Sequence, residues 1–334
     1  MTGETALLDV DAPRTISVDV DRSDLLFRRI LRGTGIFVLA VMSMIGIFLA
    51  LRAVQALELV GFGFLTTAAW EPDAGNFGIA AVLTGTVLIG LVAVAFALPL
   101  AVGTALYISE YAPRRLKRTL ITLVDLMAAV PSVVYGLWGF FFLQNEVTGL
   151  ARWISTYLGW LPFLSVEGVD PSDPLATVTV YTSSTFIAGM VVALMVTPIA
   201  CSVMRESFAQ APLGEREGAY ALGATRWGML RTVVLPFGKG GMIGGMMLGL
   251  GRALGETIAV YMIISLVFEV QPRILENGSS SVSALVALRF GEATQIGTSA
   301  LMAAGLALFL VTLAVNFFAS TIVARSRSGA ESEV

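Results

Sequence analysis

The sequence predicts an all-α polytopic membrane protein with six transmembrane helices, and three observations predict it. Of the 334 residues, 56% are apolar and only 13% are charged, against roughly 25% charge in a soluble domain. Six apolar runs, near 34–54, 80–108, 119–143, 185–204, 241–268 and 298–323, each reach the roughly 20 residues a helix needs to cross the hydrocarbon core. The joints between them alternate in charge. Segments 1–33, 109–118, 205–240 and 324–334 hold five, four, five and two of the 21 Lys and Arg. The positive-inside rule then predicts that both termini are cytoplasmic.

Residues 1–33 carry Glu4, Asp9, Asp11, Asp19, Asp21 and Asp24, then Arg28, Arg29 and Arg32. The stretch is too long and acidic for a cleavable signal peptide. It is expected to be a flexible cytoplasmic tail ending in a topology anchor, as 324–334 is at the other end. The 34–323 region is expected to be one membrane domain. Outer loops fall at 55–79, at 144–184 with Trp153, Tyr157 and Trp160 as interface anchors, and at 269–297 with the turn signal Asn277-Gly278-Ser279-Ser280-Ser281. None is large enough for a binding domain. Asp125 is expected at a membrane edge. Pro131 sits inside the third run and frees a backbone carbonyl; Ser132 either lines a polar path or satisfies that carbonyl.

In 205–240, Pro212 and Leu213 open a short helix, Gly223 turns it, and Arg226–Val234 forms a second one that Pro236 stops. A solvated hairpin and a docking element are both compatible with this pattern. The fifth run is studded with glycine and holds two charges. At about 100° per residue, Gly241, Gly245, Gly249, Arg252 and Glu256 fall within one arc of about 80°. Small residues spaced by four allow close helix contact in a bilayer, so this face is expected to be packed.

Arg252 lies about 18 Å into the helix, where a charge is costly and functional by default. An i,i+4 ion pair with Glu256 is one reading. The other adds a substrate: a permanently charged guanidinium fork matches a tetrahedral oxyanion. Glu256 would neutralise the arginine in the empty path and accept a hydrogen bond from a protonated phosphate oxygen, which sulfate does not offer.

Two stretches resemble a known family. Glu217-Gly218-Ala219, three residues, Gly223, nine residues, then Val233-Val234-Leu235-Pro236 resembles the EAA loop of ABC importer permeases. Gly249-Leu250-Gly251-Arg252-Ala253-Leu254-Gly255-Glu256-Thr257 resembles the corresponding segment of phosphate-specific, PstC-type permeases. Ile108–Pro113 and Val130–Gly136 agree with it. The resemblance covers about 34–323.

It implies a type I (MetI-like) permease architecture in the bacterial cytoplasmic membrane. The implied partners are a homologous PstA-type permease, two PstB-type ATPase subunits on the cytoplasmic side and a PstS-type phosphate-binding protein outside, with no nucleic acid. It implies that Glu217, Gly218, Ala219, Gly223, Leu235 and Pro236 couple to the ATPase. Arg252, Glu256, Ser132 and Thr257 would line the substrate pathway, and Gly241, Gly245 and Gly249 would pack helices. Permeases for sulfate or molybdate, an ion-coupled secondary transporter and a channel are the alternatives.

No cofactor is expected on the chain itself. It has no His and a single cysteine, Cys201, which leaves no basis for a metal centre or thiol catalysis. Phe237-Gly238-Lys239-Gly240-Gly241 lacks the hydroxyl residue that a phosphate-binding loop places after its lysine, and no strand precedes it. ATP and magnesium are therefore expected on a separate subunit, and the chain is not expected to be an enzyme.

Overall fold

The computed structural model describes residues 22–170, 173 and 177–327, with backbone only for Arg22 and 322–327. Glu4, Asp9, Asp11, Asp19 and Asp21, the turn residues Pro171, Ser172 and Pro174, and the end of the C-terminal tail lie outside the described residues. The chain divides into two units, Met1–Phe48 and Leu49–Val334. In the first, the described residues belong to helix α1 (Arg22–Val60). Part of the expected flexible tail is thus helical, with Asp24 and Arg28 paired at 3.0 Å on consecutive turns. Ile36, Phe37 and Leu39 are exposed, as lipid-facing side chains are.

The second unit is helical apart from a small hairpin, β1 (Trp70–Glu71) on β2 (Asn76–Phe77), which turns at Gly75. After α2 (Gly63–Thr66) come the long helices α3 (Ala80–Leu106), extended by a π turn at Tyr107–Tyr111, and α7 (Thr185–Ala209). Between them lie α4 (Arg114–Ala129), α5 (Ser132–Trp138) and α6 (Gln144–Leu158). The 205–240 loop forms α8 (Leu213–Ala221) and α9 (Arg226–Met229), and α10 (Leu235–Gly255) and α11 (Ile258–Ile263) follow. The chain closes with α12 (Val282–Arg289) and α13 (Gln295–Arg327). Among the described residues five helices are long and apolar enough to cross a membrane, and six spans result when the bent pair around Pro131 is taken as one. The chain is a multi-pass membrane protein.

Three sequence expectations need correction. The third run is not a straight helix. Val130 is extended (φ −65°, ψ 129°), and the axis turns by 89° between α4 and the continuous α5–α6 segment. Proline forces this: it has no N–H to donate, and its ring pushes the preceding residue out of the helical region. The fifth run also breaks, at Glu256-Thr257, rather than running to 268.

The third correction concerns 269–297, expected as an outer loop. Leu275, Ser279, Ser280 and Ser281 are buried. The Thr86 hydroxyl donates to the Val82 carbonyl (2.7 Å) and accepts the Val282 N–H (3.0 Å), while Thr185 donates to Ser279 (2.8 Å). Irregular backbone this buried is tolerated only because the surrounding protein satisfies its polar groups.

Gly85 makes this insertion possible. A Cβ there would lie 1.9 Å from the Ser280 carbonyl oxygen. Gly85→Ala is therefore expected to lower stability by about 3 kcal/mol or more, since neither backbone has room to move. Gly103→Ala, where a Cβ meets nothing within 4 Å, is the control. Thermal unfolding of the two purified variants measures the difference; equal melting temperatures would mean the loop is not inserted against α3.

The core is the packing of α3 on α7 and of α10 on α7, with Ala93, Ala97, Ala101, Ile187, Val191 and Ala200 all buried. A second cluster joins the end of α1 to α13. There the Ser299 hydroxyl donates to the Arg52 carbonyl (2.7 Å) and accepts the Ala56 N–H (3.1 Å). This inserts a side chain into one rung of the α1 ladder, a recognised cause of helix bending.

Candidate functional site

The glycine row and the two charges part company. A Cβ at Gly241 would lie 2.1 Å from Ser207 Cβ, one at Gly245 2.9 Å from the Ala200 carbonyl, and one at Gly249 2.3 Å from Val196 Cγ1. The row therefore packs on α7, as its spacing predicts. Arg252, on the same arc by arithmetic, is exposed. Packed helices cross at an angle, so a contact seam leaves any one face after a few turns.

Glu256 has left the helix: its backbone is extended (φ −68°, ψ 127°). Among the described residues no ion pair joins it to Arg252, which corrects the expected i,i+4 pair and the neutralising role that rested on it. Glu256 Oε1 instead accepts the Ala259 N–H (3.3 Å) and caps α11. The Glu256 carbonyl accepts the Ser283 hydroxyl (2.7 Å), and the Thr257 hydroxyl donates to the Gly255 carbonyl (3.3 Å).

The two broken spans meet. α11 packs on α5, where a Cβ at Gly136 would lie 2.9 Å from Ala259 Cα. Tyr135 donates its hydroxyl to the Met127 carbonyl (3.0 Å), closing the Pro131 break. This is the task weighed for Ser132, whose half-buried hydroxyl bonds no described residue. Arg252 stands in the last turn of α10, where the helix dipole favours a cation. A membrane protein does not present a bare guanidinium to lipid without penalty.

In the 205–240 loop, α8 ends in a left-handed residue. Gly223 has φ +83°, its N–H returns to the Tyr220 carbonyl (2.9 Å), and the Ala224 N–H returns to Ala219 (3.0 Å). These two reversed bonds form the Schellman closure that glycine favours. Glu217 and Gly218 are exposed and Ala219 is half-buried against the core. Leu213, Leu222 and Trp227 are also exposed, Leu222 by 91%.

Pro236 does not stop a second short helix as expected. The helix runs from Arg226 to Gly255 through a π turn at Leu230–Val234, and the Leu235 N–H reaches back to Leu230. The wider turn directly ahead of the proline gives its ring room. Leu235 is half-buried there and Pro236 exposed.

Sequence reasoning missed Arg216 and Glu110. Arg216 Nη1 lies 3.0 and 3.1 Å from the two Glu110 carboxylate oxygens, and Nη2 donates to the Phe208 carbonyl (2.6 Å). Glu110 falls in the Ile108–Pro113 stretch just beyond an apolar run, and nothing in that stretch points to Arg216 as its partner.

Residues 97–328 match the family of binding-protein-dependent transport system inner membrane components. The chain belongs to this family. The matched segment contains the Pro131 break, the 205–240 loop and the Arg252–Glu256 break. Among relatives of this binding-protein-dependent transport family, the chain is 36% identical over 305 residues to the phosphate transport system permease protein PstC of Xylella fastidiosa, covering 91% of each. It is 37% identical over 324 residues to PstC 2 of Mycobacterium tuberculosis, covering 95% of this chain and 98% of that protein. A solved bacterial alginate ABC transporter, in complex with an alginate-bound periplasmic protein, shares the fold. Its TM-score is 0.59 at 17% identity, with 91% and 95% of the two chains covered.

Proposed function

We propose that the chain is the transmembrane permease subunit of an ATP-driven inorganic phosphate importer. One observation carries the reading: an exposed, permanently charged Arg252 without a carboxylate partner, at the junction of two interrupted spans. The phosphate transport permeases to which the chain is similar supply the substrate class. Oxyanion oxygens match a guanidinium that no internal acid neutralises. Thr257 and Ser132 add hydroxyls close to the two breaks. Glu256 spends one oxygen on α11 and keeps the other to accept from a protonated phosphate.

In this reading α8 docks in an ATPase subunit through Glu217, Gly218 and Ala219, with Gly223 setting the angle and Leu235-Pro236 the return into the membrane. ATP and magnesium bind there and not on this chain. A homologous permease completes the pathway beside the exposed Arg252. An extracytoplasmic phosphate-binding protein delivers substrate, and both termini face the cytoplasm.

The test is uptake of labelled phosphate by the reconstituted complex, with and without ATP and with sulfate as competitor. Uptake that needs ATP and ignores sulfate is expected. Uptake without ATP would instead favour an ion-coupled transporter or a channel, and competition by sulfate a broader oxyanion permease. Within the same assay, Glu256→Gln is expected to narrow the preference for phosphate over sulfate; an unchanged preference would remove Glu256 from substrate selection.

A further inference from the structure

Arg216, next to the exposed Glu217, is turned inward. Its side chain is 17% exposed and that of Glu110 is 8%. One guanidinium thereby ties three elements: α8, which carries it; the π turn that ends the second span, through Glu110; and the end of α7, through the Phe208 carbonyl. A second cation repeats the pattern one residue on. The Arg226 guanidinium, at the start of α9, lies 5.1 Å from the Tyr111 ring centre.

The chain itself joins α8 only to α7 and to α9–α10. These two contacts add α3 to the group, and both fall on adjacent residues of one π turn, whose Ala112 N–H reaches back to Tyr107 (2.8 Å). Such turns are rare and gather at functional positions. A buried charge pair resists separation, because parting it strands both charges away from water.

We propose that Glu110, with Tyr111, is the point at which movement of the cytoplasmic loop passes to the second span. Glu110 is then a positioning residue that couples ATP hydrolysis to transport. The inference rests on reading the loop as the ATPase dock. It places the load path through a span that the loop does not adjoin in sequence.

The test uses the full reconstituted complex and reads three quantities: retention of the ATPase subunit, ATP hydrolysis, and phosphate imported per ATP. Glu110→Gln is expected to keep the ATPase bound and hydrolysing while phosphate per ATP falls about fivefold or more. Tyr111→Leu, at a half-exposed site that strands no buried charge, is expected to give a smaller fall in the same ratio. The swapped pair Glu110→Arg with Arg216→Glu is expected to recover much of the loss. A wild-type ratio in both single variants overturns the proposal. So does release of the ATPase subunit by Glu110→Gln, which would make the pair a brace for the dock. Failure of the docking reading is seen separately: Glu217→Lys would then leave the ATPase bound and uptake intact.

Discussion

Arg252→Gln is expected to reduce ATP-driven phosphate uptake to background while the complex stays assembled. Arg252 is exposed and pairs with no acid, so its removal orphans no buried carboxylate and opens no cavity. The cost to folding is therefore small. The cost to transport is not. A hydrogen bond to a charged group contributes roughly 1.5–3 kcal/mol, and a guanidinium offers a phosphate two at once. Losing both slows passage by about two to four orders of magnitude. Glutamine keeps donors but not charge, and Arg252→Lys keeps charge without the fork, so lysine is expected to fall in between. Uptake in proteoliposomes, normalised to co-purified subunits, measures this. Normal uptake in Arg252→Gln would leave the arginine as a helix-end charge only.

Gly223→Val is expected to be nearly as damaging, by a different route. At φ +83° a β-branched residue meets its own backbone, not a neighbour, because a Cβ there has nothing within 4 Å. The strain is of order 1–3 kcal/mol, and α8 relieves it by unwinding its Schellman closure. Relief re-aims Glu217 and Leu222, so loss of the ATPase subunit on purification is expected, with the membrane part still folded. Gly218→Ala, equally free of nearby atoms but at an ordinary helical φ, separates strain from crowding in the dock. If Gly223→Val retains the ATPase subunit and full uptake, α8 is not the coupling element.

Much of this protein is legible in its sequence. Spans 34–54, 80–108, 185–204 and 298–323 each lie within one helix, because twenty apolar residues in a row have few alternatives in a bilayer. The glycine row was legible for the same reason: spacing by four is a property of the helix alone, and the turn at Gly223 follows from the backbone freedom of glycine. What was not legible depended on partners distant in the chain. Pro131 announced a disturbance but not an 89° turn. Its size depends on what α5 packs against, and that is α11, more than a hundred residues away.

The serines at 279–281 read as a surface turn because a run of serine is polar. They are buried because residues remote in sequence hold them: Thr185 bonds Ser279, Thr86 holds the following N–H at Val282, and Gly85 supplies the room. Arg252 and Glu256 read as one face of one helix, a correct deduction for an unbroken helix; the extended backbone at Glu256 separates them. The sequence by itself determined the class, the spans and the residues that bear charge. Only the tertiary structure decided which of those charges are spent and which are free. Glu110 is spent on Arg216, Glu256 in part on α11, and Arg252 pairs with no acid among the described residues. Local pattern sets helices, but hydrogen-bond and charge partners are chosen by proximity, which the fold creates.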